Sequence, residues 1–471
     1  MKLWFNVAKV NRRDRRPPFF SIVRGGASRT CISDPPQSIR FIVAIAFVCA
    51  APLSKAITLD ETLKATLDNN PAIQQAKRKL EEASGRRLVF RSVIWPNAKL
   101  NVPGGVQGGD RAGSQKIRLF GFVRGALTQQ LFDVSIPHSL QRGNIEVLIA
   151  EQQLNLAVQD QLHTARVAFY SALYQRELRS IREKQRLRLD ENVASQGDRY
   201  QAGLVDRSAF TTASVEARGL DPMVEDAQRR YSAAQLQMGQ AMAKDLKSDA
   251  PLPEPQGELT FAAVDVDLNK EINTALEERT DIKLARLLVR AANEDERIIA
   301  AGYYPSASGS ITGDYIPVSG IHREGSTSRT QDFTGSEIRE GAAYSWRVID
   351  NGKVGGAVLR ARSAREINEI ELKKLEANVG QQLSRIRNQL DGIAERHHAL
   401  MAGATNAEQA ASAVQQNLGS GLASQLEYRV AESSYLKTQT GLLEASYLQN
   451  VALADLDRAT GRYFQLSEDM R

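Results

Sequence analysis

The chain states the same sequence pattern twice. Leu67, Ile73, Ala76, Ala83 and Pro96 are matched by Leu276, Ile282, Ala285, Ala292 and Pro305, each 209 residues further on. Leu131-Phe132-Asp133 is matched by Val348-Ile349-Asp350 at an offset of 217, and Ala202-Gly203-Leu204 by Ser420-Gly421-Leu422 at 218. The offset grows only twice, so insertions are few and fall in loops. A solenoid repeats every 20–50 residues or so, which excludes that class. The unit repeated here is half a protein, and whatever one half builds, the chain builds again.

Each half has the same internal order. It opens with a short helix, in the first case one that Thr58 caps with Glu61 three residues later as its capping-box partner. A Gly- and Ser-rich β region follows. In residues 116–132, Ile117, Leu119, Gly121, Val123 and Leu127 alternate with Lys116, Arg118, Phe120, Phe122, Arg124 and Thr128. In residues 336–348, Ile338, Ala342, Tyr344, Trp346 and Val348 alternate with Glu337, Arg339, Ser345 and Arg347. An apolar face, a charged face and aromatics near one end suit a membrane β-strand, although the signal per strand is weak and a soluble hairpin carries it too.

Long helices come next. No proline occurs from about Ser139 to Gln201, and an apolar stripe steps through 150, 154, 158, 162, 165, 169 and 172 by fours and threes. The second copy repeats it at 375, 379, 383, 386, 390 and 393. A helix of this length runs roughly 90 Å and needs a partner alongside, most simply in coiled-coil packing. Gly203 and Gly421 are placed to end each helix and let the chain return. Each half is therefore expected to be a β-hairpin joined to a long helical hairpin.

Two hairpins supply four strands, too few to cross a bilayer as a closed structure. Open edges would leave backbone groups unpaired in hydrocarbon, and outer-membrane barrels have at least about eight strands. Strands must be pooled between chains, and a closed ring is the common way to pool them.

The first 56 residues read as a leader. Behind Arg40 runs a short apolar core ending in Ser54-Lys55-Ala56, the small-residue pattern that signal peptidase cuts, so processing is expected to leave Ile57 at the mature terminus. The n-region is unusually long, which points to a start assigned too far upstream. Val48 before Cys49 argues against lipidation at that cysteine. The leader holds ten Lys/Arg and two Asp/Glu, so the remainder carries 51 basic and 53 acidic side chains. The basic character of the whole chain belongs to the leader, and nucleic acid is not an expected partner. Both cysteines, Cys31 and Cys49, lie there too, so the rest has no disulfide framework. No later segment has eighteen consecutive apolar residues, which excludes a membrane-spanning helix. The expected organisation is a leader at 1–56, a first repeat at 57–246, a linker at 247–268 containing "APLPEPQG", and a second repeat at 269–471.

With the order of elements in place, the sequence resembles the TolC-like outer-membrane factors. The resemblance rests on "ITLDETLKATLDNNPAIQQAKRKLEEA" (57–83) with its Asn70-Pro71, on "QQLFD" (129–133), on "AGLVDR" (202–207) and on their second-half equivalents. No single motif is specific, but the duplicated order is, and it covers 57–471. It implies an α+β membrane protein in the outer membrane with a large periplasmic portion. It also implies a homotrimer whose pooled hairpins form a 12-stranded β-barrel continued by an α-helical coiled-coil tunnel. Such proteins are exit ducts for drugs, toxins or proteins, not enzymes, and no cofactor is implied. Their partners are a periplasmic adaptor (membrane fusion) protein, an inner-membrane RND or ABC transporter, and outer-membrane lipid.

The resemblance also implies site residues. The helical-hairpin tips dock the adaptor, which assigns Ala202, Gly203 and Leu204, and more loosely Ser420, Gly421 and Leu422. An acidic constriction follows the second tip. Counting from Gly421, Glu427 takes the first acidic position while Val430 occupies the second, leaving three carboxylates in a trimer rather than six. Held close, those carboxylates would attract cations and have raised pKa values. Pro222 falls inside the first returning helix, where it should kink the backbone. Its counterpart is Thr440, so the two hairpins should differ in shape. Val134-Ser135-Ile136 departs from the family's glycine-rich continuation, of which Asn351-Gly352 keeps part.

No other chemistry is expected. Among five histidines only His397 and His398 are close, and adjacent residues do not share a helix face. There is no metal-ligand spacing, phosphate loop, dinucleotide fingerprint or nucleophile elbow. The rival reading is a periplasmic coiled-coil scaffold or adaptor without a barrel. It accounts for the leader and the helices, but not for two amphipathic β regions placed alike in both halves.

Overall fold

The computed structural model describes residues 56–108, 117–244, 252–322 and 330–462. The leader with its cleavage and lipidation motifs lies outside them, except for Ala56.

The first copy runs β1 (Ala56–Ile57), α1 (Leu59–Asn69), α2 (Pro71–Arg91), β2 (Asn97–Asn101), β3 (Gly104–Gly108), β4 (Ile117–Gly121), β5 (Val123–Phe132), α3 (Ser135–Gln201), α4 (Arg207–Gly219) and α5 (Asp221–Ala241). After β6 (Glu254–Pro255), the second runs α6 (Leu268–Glu278), α7 (Thr280–Ala300), β7 (Ser306–His322), β8 (Thr330–Ser345), α8 (Lys353–Ser420) and α9 (Gln425–Thr460). The repeat holds to the residue: α1 and α6 both have 11 residues, α2 and α7 both have 21, and each second element starts 209 residues after the first. The capping box at Thr58 and Glu61 is formed. Asn70 caps α2 by accepting from the Ala72 N–H, with Pro71 behind it in the first turn.

The two long helices have 67 and 68 residues, about 100 Å each. α3 starts at Ser135, four residues before the sequence expectation, and takes Pro137 into its first turn. There the missing N–H would have had no partner in any case. The apolar stripes are the buried faces. Phe169, Tyr170, Ala172 and Leu173 of α3 pack on Ala234 and Met238 of α5. Val379, Leu383, Ile386 and Leu390 of α8 pack on α9, where Ala445, Ala452 and Ala459 recur every seven residues, each almost fully buried. A heptad of small side chains lets two long helices approach closely along their length.

Pro222 breaks its helix as expected. The returning strand of the first hairpin is split into α4 and α5 at Leu220, with Pro222 in the first turn of the new helix, whereas α9 runs unbroken for 36 residues. The two hairpins do differ in shape. The described part of the segment between the repeats, residues 252–268, is docked on the helices. β6 pairs in parallel with β1, and Arg176 donates to the carbonyls of Pro255 and Gly257 at 2.5 and 2.7 Å. Gln449 brackets Ala262, accepting from its N–H and donating to its carbonyl, while Phe261 stacks on His397 with ring centroids 3.7 Å apart. Long polar side chains on the helices satisfy the segment's backbone groups, and so hold it down.

The β regions form one antiparallel sheet in the order β2-β5-β7-β8, with β3 and β4 pairing beyond β2 and β5. The two hairpins lie side by side through the β5–β7 ladder, leaving β2 and β8 as edges. Cross-strand partners share a face, and the register separates two surfaces. One carries Leu100, Leu127, Ile311, Ile338 and Tyr344, all well exposed in the single chain, with Glu340 as its one charge among the residues whose side chains are described. The other carries Asn97, Lys99, Arg124, Asp314, Glu337 and Arg339 among serines and threonines. Exposed aromatics Trp95, Tyr303, Tyr304 and Trp346 gather where strands meet helices, the position of an interfacial girdle. Trp346 is oriented there by donating its indole N–H to the Tyr303 carbonyl. Among the described residues no helix is long and apolar enough to cross a membrane.

Candidate functional site

The tips of the two helical hairpins repeat one local design. α3 ends at Gln201 with Ala202 as its C-cap, Gly203 follows at φ 72°, Leu204 projects into solvent, and Asp206 caps α4 by accepting from the Ala209 N–H. α8 ends at Ser420, Gly421 follows at φ 82°, Leu422 projects, and Ser424 caps α9. A left-handed residue after each helix sends the last N–H groups back to carbonyls of the final turn: Leu204 to Arg199 at 2.8 Å, and Leu422 to Asn417 at 2.7 Å. Any L side chain at Gly203 or Gly421 would be strained, whatever the space around it. Both turns thus present an exposed leucine on a compact small-residue loop. The Asp206 carboxyl is held below the usual range by the Ala209 N–H first and the Ser208 hydroxyl next, which keeps the cap ionised.

Glu427 has a local task. It is the third residue of α9, its carboxylate accepting from the Ser424 N–H at 2.7 Å while its own N–H donates to the Ser424 hydroxyl. In the single chain this lowers its pKa, with the Ser424 backbone N–H as the leading cause, where a ring of facing carboxylates implied a raised value. The favour it lends the folded helix start is full above the ordinary glutamate range. It is lost as pH falls through the lowered folded value.

Between the tips lies a set of contacts that the sequence reading missed. Arg188 of α3 donates through Nε and Nη2 to one oxygen of Glu432 on α9, at 3.0 and 2.6 Å. Glu432 is only 4% exposed, and Arg188 also lies over the Tyr435 ring. Arg199 donates to the carbonyl of Leu418, and Arg429 pairs with Glu216 at 3.3 Å. Around them Leu189, Leu220, Leu418 and Tyr428 form a small buried cluster that joins both hairpins. Tyr428 is 1% exposed, its hydroxyl has no partner among the described residues, and burial pushes its pKa up to about 12. On α3 the buried side chains of Asn192 and Gln196 each have an amide nitrogen with no partner among the described residues. The one available signal was a charged residue, Glu432, four residues beyond an aromatic on the inner face of α9.

This contact layer joins the hairpins by a few polar links and an apolar cluster much smaller than the one between α8 and α9, and it sits at the tip.

Residues 272–462 match the family model described as outer membrane efflux protein. No curated protein matches the chain. The fold is similar to the outer membrane protein VceC of Vibrio cholerae, with a TM-score of 0.71 at 16% identity over 86% of this chain and 97% of that one. It is also similar to the CmeC outer membrane channel of Campylobacter jejuni, with a TM-score of 0.71 at 14% identity over 87% of each chain. The MtrE outer membrane channel of Neisseria gonorrhoeae, solved in its open state, gives 0.66 at 16% identity over 86% of this chain and 90% of that one. The second copy thus carries the sequence signature of outer membrane efflux proteins, the first repeats its elements one by one, and the whole chain has the fold of these outer membrane channels.

Proposed function

We propose that the chain is the exit duct of a tripartite efflux or type I secretion system. Residues 57–246 and 269–471 form its two repeats. Three chains assemble so that their four-stranded sheets close a 12-stranded barrel, with the long helices continuing it as a coiled-coil tunnel. The observation that carries this reading is the sheet itself: four strands, two open edges and one apolar face exposed in the single chain. Such a sheet is unstable in lipid unless its edges are closed by other copies. In this assembly Ala202, Gly203 and Leu204, with Ser420, Gly421 and Leu422, are the surface on which a periplasmic adaptor docks. An inner-membrane RND or ABC transporter then delivers the substrate.

Purified in detergent, the protein is expected to have the mass of a trimer; a stable monomer with intact β signal would remove the barrel. The double variant Gly203→Arg/Gly421→Arg should keep the trimer but lose adaptor crosslinking and transport, since both loops would be strained and the side chain at Gly421 would also crowd Arg199. Normal transport in that variant would show that the tips are not the docking surface.

Glu427 is proposed as the entrance constriction, and its capping role supplies a clean control. Glutamine keeps the capping-box geometry, whereas alanine removes it. Glu427→Gln and Glu427→Ala should both weaken block of single-channel current by divalent or trivalent cations on the periplasmic side. Only the alanine variant should also speed hydrogen exchange in the first turn of α9. Unchanged block in both would place the constriction elsewhere.

A further inference from the structure

We propose that Lys99 is an uncompensated cation of the described part of the barrel wall, and that it makes passage through the outer membrane favour anionic solutes. The inference rests on the barrel reading above and adds a selectivity site to it.

The polar face of the sheet carries five charged residues whose side chains are described, and four of them cancel in pairs. Arg124 on β5 donates from Nε to Asp314 on β7 at 2.7 Å, directly across the ladder. Arg339 on β8 grips Glu337 with two bonds, at 2.7 and 2.6 Å. Lys99 on β2 shares this face, because Lys99 opposes Ala126 in the same register that places Asn101 opposite Arg124. It is exposed and has no hydrogen bond or ion pair among the described residues. The described polar face therefore has one net positive charge per chain, carried by Lys99.

Water lines this face if the sheet closes with its apolar surface toward lipid. A salt-bridged pair presents little field beyond a Debye length, about 8 Å at physiological ionic strength. An isolated ammonium in a passage walled by low-dielectric material acts differently, because the walls concentrate its field on passing ions. Three copies of Lys99 around one lumen form a ring at a single level. β2 is an edge strand, so Lys99 stands at the seam where the next chain's β8 would join. The described carboxylate on the polar face of β8, Glu337, is already held by two bonds from Arg339 of its own chain.

Reversal potentials across planar bilayers in a KCl gradient test the proposal on the full trimer at low ionic strength. Lys99→Gln should lower the chloride-to-potassium permeability ratio by about threefold or more, an effect of the order of the thermal energy per ion, and Lys99→Glu should lower it further. Arg339→Gln, which frees Glu337, should move the ratio in the same direction. Residues 57–471 contain no cysteine, so Asn101→Cys gives a second readout: an anionic methanethiosulfonate should label it faster than a cationic one, and the preference should vanish when Lys99→Gln is added. If wild type conducts and Lys99→Gln and Lys99→Glu leave the ratio unchanged, Lys99 is neutralised at the seam or faces lipid, and the proposal is wrong. If wild-type protein forms no conducting trimer, the barrel reading fails and takes this proposal with it.

Discussion

Arg188→Ala should open the hairpin tips and destabilise the lower bundle by about 3–5 kcal/mol. Glu432 has almost no solvent around it, and Arg188 is its hydrogen-bonding cation. Removing the guanidinium strands a buried carboxylate, which must then drag in water, move, or take up a proton. The surrounding layer offers little resistance, because its buried apolar cluster is small, made of Leu189, Ala217, Leu220, Leu418 and Tyr428. Hydrogen exchange should quicken in α3 near 185–200 and in the first half of α9, while the α2–α3 region near the strands stays protected. In a reconstituted channel the same variant should pass more current. The double variant Arg188→Leu/Glu432→Leu should recover the stability, since an apolar pair leaves no charge stranded. If Arg188→Ala melts like wild type with unaltered exchange, the pair is dispensable and the tips are held by packing alone.

Ile338→Arg should prevent insertion, and Ser310→Arg should not. Ile338 lies on the apolar face of β8, opposite Gly313, and is 75% exposed in the single chain. If that face meets lipid, an arginine near the bilayer mid-plane costs about 2–4 kcal/mol in each chain, and three chains must accept it together. Ser310 is two strand positions from Thr312 on the polar face, opposite Gly341, where a charge would face water. The comparison therefore tests which face is outward as well as whether there is a barrel. Fractionation of cell membranes and the amount of trimer resisting dissociation in detergent are the measurements. Equal yields of trimer from both variants would mean that the sheet does not lie in lipid.

The features legible in the sequence are those whose cause lies within a few residues. The capping box at Thr58, the turns at Gly203 and Gly421 and the break at Pro222 are local, and the structure has all of them where the residues place them. Alternation by two and stripes by threes and fours identified strands and long helices for the same reason. The duplication then multiplied this information, because each element read in one copy predicted its counterpart 209 or about 218 residues away. Even the faces of the strands were legible, since period-two alternation assigns each residue a side.

What the sequence left open were pairings between elements far apart in the chain. Nothing local says that β5 lies beside β7, that Arg188 meets Glu432 across 244 residues, or that Gln449 holds Ala262. Glu427 shows the difference in one residue: the resemblance implied a place for it in a ring, and only the structure showed that its side chain also closes the start of its own helix. By itself the sequence determined the elements, their order and their repetition, because propensity, capping and periodicity act over a turn or a strand. Only the tertiary structure decided which faces meet and which charges cancel, because those choices depend on how 100 Å helices and a shared sheet bring distant side chains within hydrogen-bond reach.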